Sequence, residues 1–163
     1  MTAIERVGVA LVVWACAVIA WADTIEGTVS RVTDGDTLVL KPDAKGEKPI
    51  KLRLQGMDAP ERCQPGGDES REALAARVLN KRVQATTHAT DDYKRSVATV
   101  ELNGEDVGAW MVLQGRAWTH GFKHAAAPYA KQELEARAAR RGLFADPASQ
   151  EPRQFRKQHG PCN

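Results

Sequence analysis

Asp34-Gly35-Asp36-Thr37, followed after a polar stretch by Ile50-Lys51-Leu52-Arg53-Leu54-Gln55-Gly56-Met57-Asp58-Ala59-Pro60-Glu61, is the part of the chain whose reading decides the rest. From Ile50 to Gln55 apolar and polar residues alternate, the period of a half-buried strand. Ile50, Leu52 and Leu54 share one face and Lys51, Arg53 and Gln55 the other, so Arg53 points away from the packed side and is free to meet a ligand. Upstream, residues 25–33 are rich in β-branched side chains and read as a strand. Asp34-Gly35 turns the chain, and residues 37–40 return as its partner. A hairpin turn beside a charged surface strand is one account of these charges. A site is the other, because hard cations take oxygen ligands, Asp foremost, and an arginine fork suits a phosphate.

Working outward, residues 41–49 contain Pro42, Gly46 and Pro49 and read as a loop. Pro65-Gly66-Gly67 marks a second loop. Residues 68–80 read as a helix, with Asp68 as cap, Glu69 and Glu72 at the positive end of the dipole, and Leu74, Ala75, Val78 and Leu79 on the apolar side. Strands follow at 83–88 and 96–102, joined by the polar connection Asp91-Asp92-Tyr93-Lys94-Arg95. A short helix runs from about Asp106, with Val107, Trp110 and Met111 on one side, to Gly115 as a left-handed stop. Pro128 suits the first turn of a last helix, which carries Ala130, Leu134 and Ala138 on its apolar side and stops at Gly142. Leu143 and Phe144 fold back as a cap, and the tail from Ala145 is polar. Five strands, one helix between the third and fourth and two at the end make an α+β fold. A five-stranded OB-type β-barrel with three helices fits better than a parallel sheet.

The chain has 163 residues, enough for one domain, and its charged (27%) and hydrophobic (42%) fractions are those of a globular protein rather than a disordered one. A net charge of +2 is too small to argue for nucleic acid. Residues 1–22 differ from the rest. After Arg6 an uncharged run reaches Ala20-Trp21-Ala22, which reads as a signal peptide with an A-x-A cleavage site and is short for a membrane span. An uncleaved anchor is the alternative; a lipoprotein through Cys16 is weaker, because little apolar run precedes it. Removal leaves a domain over 23–144 and a tail over 145–163. It takes Glu5 and Arg6 together, so the charge stays +2. Cys63 and Cys162 then remain as an even pair in an oxidising compartment, and a disulfide between them is expected to tie the tail beside Pro60-Glu61; two free thiols are the alternative. His88, His124 and His159 have no partner at metal-ligand spacing. Arg137, Arg140 and Arg141 suit the end of the last helix.

Taken together, Asp34-Gly35-Asp36-Thr37, Arg53-Leu54, Asp58-Ala59-Pro60-Glu61 and Tyr93-Lys94-Arg95 resemble, in order and spacing, the signature of the staphylococcal-nuclease (thermonuclease) family, over residues 25–144. The resemblance implies an OB-fold with three helices that hydrolyses DNA and RNA using calcium. Asp36 and Asp58 resemble the calcium-binding carboxylates. Ala59 stands where threonine is usual and offers a backbone carbonyl. Glu61 resembles the general base, Arg53 and Arg95 the pair that grips the scissile phosphate, and Tyr93 a residue of the nucleotide pocket. Lys94 departs from the family's glycine; positive φ there would strain it and re-aim Arg95, or Lys94 adds a phosphate contact. Trp118, His120 and Phe122 fall where the family has substrate-facing aromatics, although Trp118 reads as core and His120 as a solvated loop residue. The expectation is a monomeric, secreted or periplasmic nuclease of low sequence specificity, with no stable membrane association after signal cleavage. The alternative is a non-catalytic OB-fold module that binds nucleic acid, or, more weakly, an inactive exported domain that binds another anion through Arg53 and Arg95. Retention of both arginines, both aspartates and Glu61 favours catalysis.

Overall fold

The computed structural model describes residues 24–121, 126–160 and 162. β1 (Thr24–Asp34), β2 (Thr37–Pro42) and β3 (Ile50–Leu54) form an antiparallel meander. Asp34 pairs with Thr37 across a two-residue turn. Gly35 is needed there for space: a Cβ would lie 2.7 Å from that of Ala59 and 2.8 Å from that of Ser70. The register of β1 shifts between Val29 and Arg31 and again between Val32 and Asp34. Bulges bend and twist a strand, and this bend lets β1 pair with β2 and also with β5 (Arg82–Thr90). β5 pairs with β6 (Ser96–Leu102), and β6 closes onto β3 in parallel, Leu54 opposite Ala98. The result is a closed, mixed five-stranded barrel, as expected. β4 (Met57–Asp58) pairs with β8 (Trp118–Thr119), and β7 (Glu105–Asp106) folds back antiparallel against the end of β6. Neither short pairing is visible in the sequence pattern.

The period-two reading of β3 holds: Leu52 and Leu54 are fully buried, with Leu38 and Leu40 of β2, Val29 of β1 and Val100 of β6. Leu74 and Val78 close one side of this core from α1 (Gly67–Val78), and Val107, Met111 and Val112 another from α2 (Val107–Leu113). Asp106 caps α2, accepting from the backbone N–H groups of Gly108 (2.8 Å) and Ala109 (3.1 Å). Gly115, at φ 64°, ends the following turn as expected.

Three helical expectations are corrected. Asp68 does not cap α1; Gly66 does, at φ 87° and without a side-chain bond. The chain folds back so tightly there that a Cβ on Gly67 would overlap the Glu61 carbonyl. α3 (Ala130–Ala138) starts after Pro128, with Tyr129 as N-cap, and buries Ala136. Ala130 and Ala138 are exposed and Leu134 is 70% exposed. Two polar ties fix this rotation. The Tyr129 hydroxyl donates to Asp106 Oδ2 (2.8 Å), and Glu133 accepts the Thr119 N–H (2.8 Å). Phe144, in the 3-10 turn Gly142–Ala145, packs edge-on against Trp118 with 5.8 Å between ring centroids.

The third correction is a fourth helix, α4 (Pro152–His159), in the tail that reads as merely polar. Pro152 suits its first turn, and Phe155 stacks on His159 at 4.3 Å. Eight residues are too few to stay helical alone, so α4 depends on the anchors described below. The expected signal at 1–22 lies outside the described residues. Among the described residues no helix is long and apolar enough to cross a membrane.

Candidate active site

Gly56, at φ 76°, reverses the chain after β3 and brings Met57-Asp58 alongside Arg53. The Arg53 guanidinium therefore does not stand free. Nη2 lies 3.0 Å from Asp58 Oδ1 and 2.9 Å from Asp36 Oδ2, while Nη1 donates to the carbonyls of Leu54 (3.3 Å) and Met57 (3.2 Å). The expectation of an uncommitted Arg53 is corrected: the turn that follows the strand folds its acceptors back over it. Asp36 and Asp58 are both buried. Asp36 Oδ1 also accepts from Thr37 Oγ1 at 2.7 Å, and its backbone N–H donates to Asp34 Oδ1 at 3.2 Å. Burial, with Asp36 as a like charge beside it, pushes the Asp34 carboxyl up to about 7.

Arg95 arrives from the connection between β5 and β6. Lys94 there takes φ 60°, the strained conformation raised by its departure from glycine. Arg95 is still aimed at the site, because Nε donates to Asp91 Oδ2 (2.7 Å) and Nη1 to Thr37 Oγ1 (3.1 Å). Burial works against the Asp91 carboxylate, but the N–H groups and guanidinium of Arg95, with the N–H of Tyr93, outweigh it and hold its pKa below the usual range. Tyr93 is 81% exposed, and its ring centroid lies 5.2 Å from Arg95 Cζ. Ala59 is buried behind the hairpin turn. Trp118 is core, as read; His120 donates its backbone N–H to the Gly56 carbonyl (2.8 Å), and Phe122 lies outside the described residues.

Glu61 is held by a residue the sequence reading missed. Arg156, on α4, places Nη1 2.7 Å from Glu61 Oε1 and 3.2 Å from Asp58 Oδ1, and Nη2 2.8 Å from Asp58 Oδ2. Burial disfavours the charged guanidinium, but Asp58 and Glu61 outweigh it and raise its pKa above the ordinary arginine range. The tail is anchored at two further points. Gln64 Nε2 donates to the Gln150 carbonyl (2.5 Å), and Cys63 is joined to Cys162, Cα to Cα 5.7 Å. The one available clue was that cysteine pair: a cross-link two residues from Glu61 brings a cationic tail to the site. A continuous polar chain runs Arg95–Thr37–Asp36–Arg53–Asp58–Arg156–Glu61.

Among the described residues no group of three His, Cys, Asp or Glu side chains converges to hold a metal ion. Two carboxylates do converge on one positive centre, since Arg53 Nη2 bridges Asp36 and Asp58. That donor set is hard oxygen, which fits a hard cation such as calcium or magnesium.

A small mixed OB-type barrel with an arginine–carboxylate network at its mouth defines a class of enzyme domain suited to anionic phosphoesters. Residues 51–146 match the model of the family described as staphylococcal nuclease homologue. The chain belongs to the staphylococcal nuclease-like family, whose activity is hydrolytic cleavage of nucleic acid. It is 34% identical to a micrococcal nuclease of Shigella flexneri over 93% of this chain and 91% of that protein. An uncharacterized endonuclease of Haemophilus influenzae is 36% identical over 80% and 72%. A protein of Escherichia coli named ParB is 38% identical over 96% and 92%.

Proposed function

We propose that this nuclease is exported, depends on calcium, and cleaves both DNA and RNA with little sequence preference. The observation that carries the reading is the convergence of Asp36, Asp58 and Glu61 on guanidinium groups within one connected network. A phosphodiester is anionic and resists attack by water. Arg53 and Arg95 are the groups that would grip it, and their planar forks match the growing charge on its non-bridging oxygens. Glu61 takes a proton from the attacking water as the new P–O bond forms. The ester P–O bond opposite breaks, and its oxygen leaves and takes up a proton. Asp36 and Asp58, with the Ala59 carbonyl, would hold calcium, which would supply charge neutralisation and orient the phosphate. Tyr93, exposed beside Arg95, offers a ring on which a base can stack, and stacking is tolerant of sequence. The signal-like residues 1–22 and the Cys63–Cys162 pair support export to the periplasm or beyond.

Hydrolysis of denatured DNA and of RNA by the purified protein, with calcium and then with a chelator, tests the reading. Cleavage of both substrates that stops on chelation is expected. Cleavage that survives chelation removes calcium from the mechanism, and cleavage of one polymer alone removes the broad substrate range. Fractionation of producing cells tests export: an intracellular protein with Cys63 and Cys162 reduced would rule it out.

A further inference from the structure

Arg156 does not belong to the stretch that matches the family, which ends at residue 146. It nevertheless makes three hydrogen bonds at the centre of the site. Asp58 Oδ2 faces Arg156 Nη2, and Asp58 Oδ1 faces both Arg156 Nη1 and Arg53 Nη2. Both oxygens of Asp58 are thus engaged by guanidinium donors, and Glu61 Oε1 is engaged by the same fork. A cation cannot share a carboxylate oxygen with a guanidinium without like-charge repulsion. A bidentate charge-assisted pair also holds the carboxylates in one geometry more firmly than a lysine would.

The tether keeps the guanidinium close. Glu61 and Cys63 are two residues apart, as Cys162 and Arg156 are six, so the disulfide joins acid and base through a short covalent path. At the other end of the helix Gln64 grips the Gln150 carbonyl. A group held this way meets its partner at a high effective concentration. Pro152 is buried at the start of α4, while Arg153 and Lys157 face solvent, so Arg156 is the basic residue of this helix engaged with the site.

We infer that α4 is a tethered gate on the nuclease site: Arg156 acts as a resident counter-cation that a divalent cation must displace from Asp58 and substrate chemistry must release from Glu61. This rests on the reading that Asp58 binds the metal. Arg156 is a positioning residue that sets how readily the carboxylates become available. Oxidation state enters through the same tether, because reduction of Cys63–Cys162 frees one end of α4 and weakens the competitor.

Calorimetric titration of calcium into the purified protein and into Arg156→Gln, without nucleic acid, tests the gate. Loss of a part-buried charge-assisted pair corresponds to about tenfold in affinity, so Arg156→Gln is expected to bind calcium about tenfold more tightly. Arg156→Lys, which keeps the charge and loses the fork, should fall between. The Cys63→Ser/Cys162→Ser double variant, with Arg156 intact, should also bind more tightly, and it tests the tether even if Arg156→Gln folds poorly. Amide hydrogen exchange of α4 should speed up on adding calcium to the native protein. Equal calcium affinity in the native protein and all variants overturns the gate and leaves the metal reading standing. Weaker binding in Arg156→Gln overturns it too, by making Arg156 a supporter of the metal site. Failure of every form to bind calcium overturns the gate and the metal reading together.

Discussion

Asp91→Ala should cost far more in catalysis than in stability. Asp91 builds the loop that aims Arg95. Its Oδ1 accepts the backbone N–H groups of Tyr93 and Arg95, both at 2.9 Å, and its Oδ2 accepts Arg95 Nε at 2.7 Å. These bonds are charge-assisted but near the surface, so their joint loss is worth about 1–2 kcal/mol of stability. The Arg95 guanidinium is left with its 3.1 Å bond to Thr37 Oγ1 and its contact with the exposed Tyr93 ring, and a catalytic group displaced by about 1 Å can lose on the order of 100-fold in rate. The ceiling is removal of the arginine itself, about 100- to 1000-fold. Steady-state cleavage of denatured DNA gives the first quantity and urea unfolding the second. Asp91→Asn keeps the neutral acceptor and should recover part of the rate. Asp91→Ala combined with Arg95→Ala should be no slower than Arg95→Ala alone, since Asp91 acts through Arg95. Activity within about threefold of the native protein, in a variant that has lost stability as expected, would refute the idea that Asp91 aims Arg95. The pH dependence carries a sign. A carboxylate whose folded-state pKa is depressed contributes stability in full above its unfolded value, about 3.9, and loses it as pH falls through the lower folded value. Acid unfolding of the native protein below about pH 4 should therefore be steeper than that of Asp91→Asn.

Glu61→Gln should slow hydrolysis by roughly 100- to 10,000-fold with folding retained and about 1 kcal/mol of stability lost with its charged bond to Arg156; a few-fold loss of rate would remove Glu61 as base. Lys94→Gly should raise stability by about 1 kcal/mol in denaturant, because φ 60° strains lysine and suits glycine, offset in part by the freer unfolded chain. No gain would show that the loop stores no strain. Gly35→Ala should destabilise by roughly 1–3 kcal/mol, since its Cβ would press within 2.7 Å of Ala59 and 2.8 Å of Ser70. A variant as stable as the native protein would mean that α1 and the Ala59 segment yield without cost.

The strands and most of the site were legible because their signals are local. Alternation from Ile50 to Gln55 depends only on the pleat, and Leu52 and Leu54 are buried as it requires. Turn chemistry located the hairpin at Gly35, and the spaced motifs named Asp36, Arg53, Asp58 and Arg95, which the structure brings into one network. The helices were less legible. α3 offers Leu134 as its apolar residue, yet the bonds of Tyr129 to Asp106 and of Thr119 to Glu133 turn that side chain to solvent. Such bonds join residues far apart in sequence, which no periodicity records.

The amino-acid order alone determined a small barrel, a cysteine pair and an acidic–basic cluster on neighbouring strands, because each follows from pleat, turn or composition. It did not determine that Asp36, Met57 and Asp58 fold over Arg53 on the outer face of its strand, nor that α4 forms at all. α4 is too short to stand alone and too polar to announce itself; it is held by Cys162, Gln150 and the Arg156 fork. Arg156 and Asp58 are 98 residues apart, and a charge pair at that separation exists only where a folded chain has already brought its two halves together.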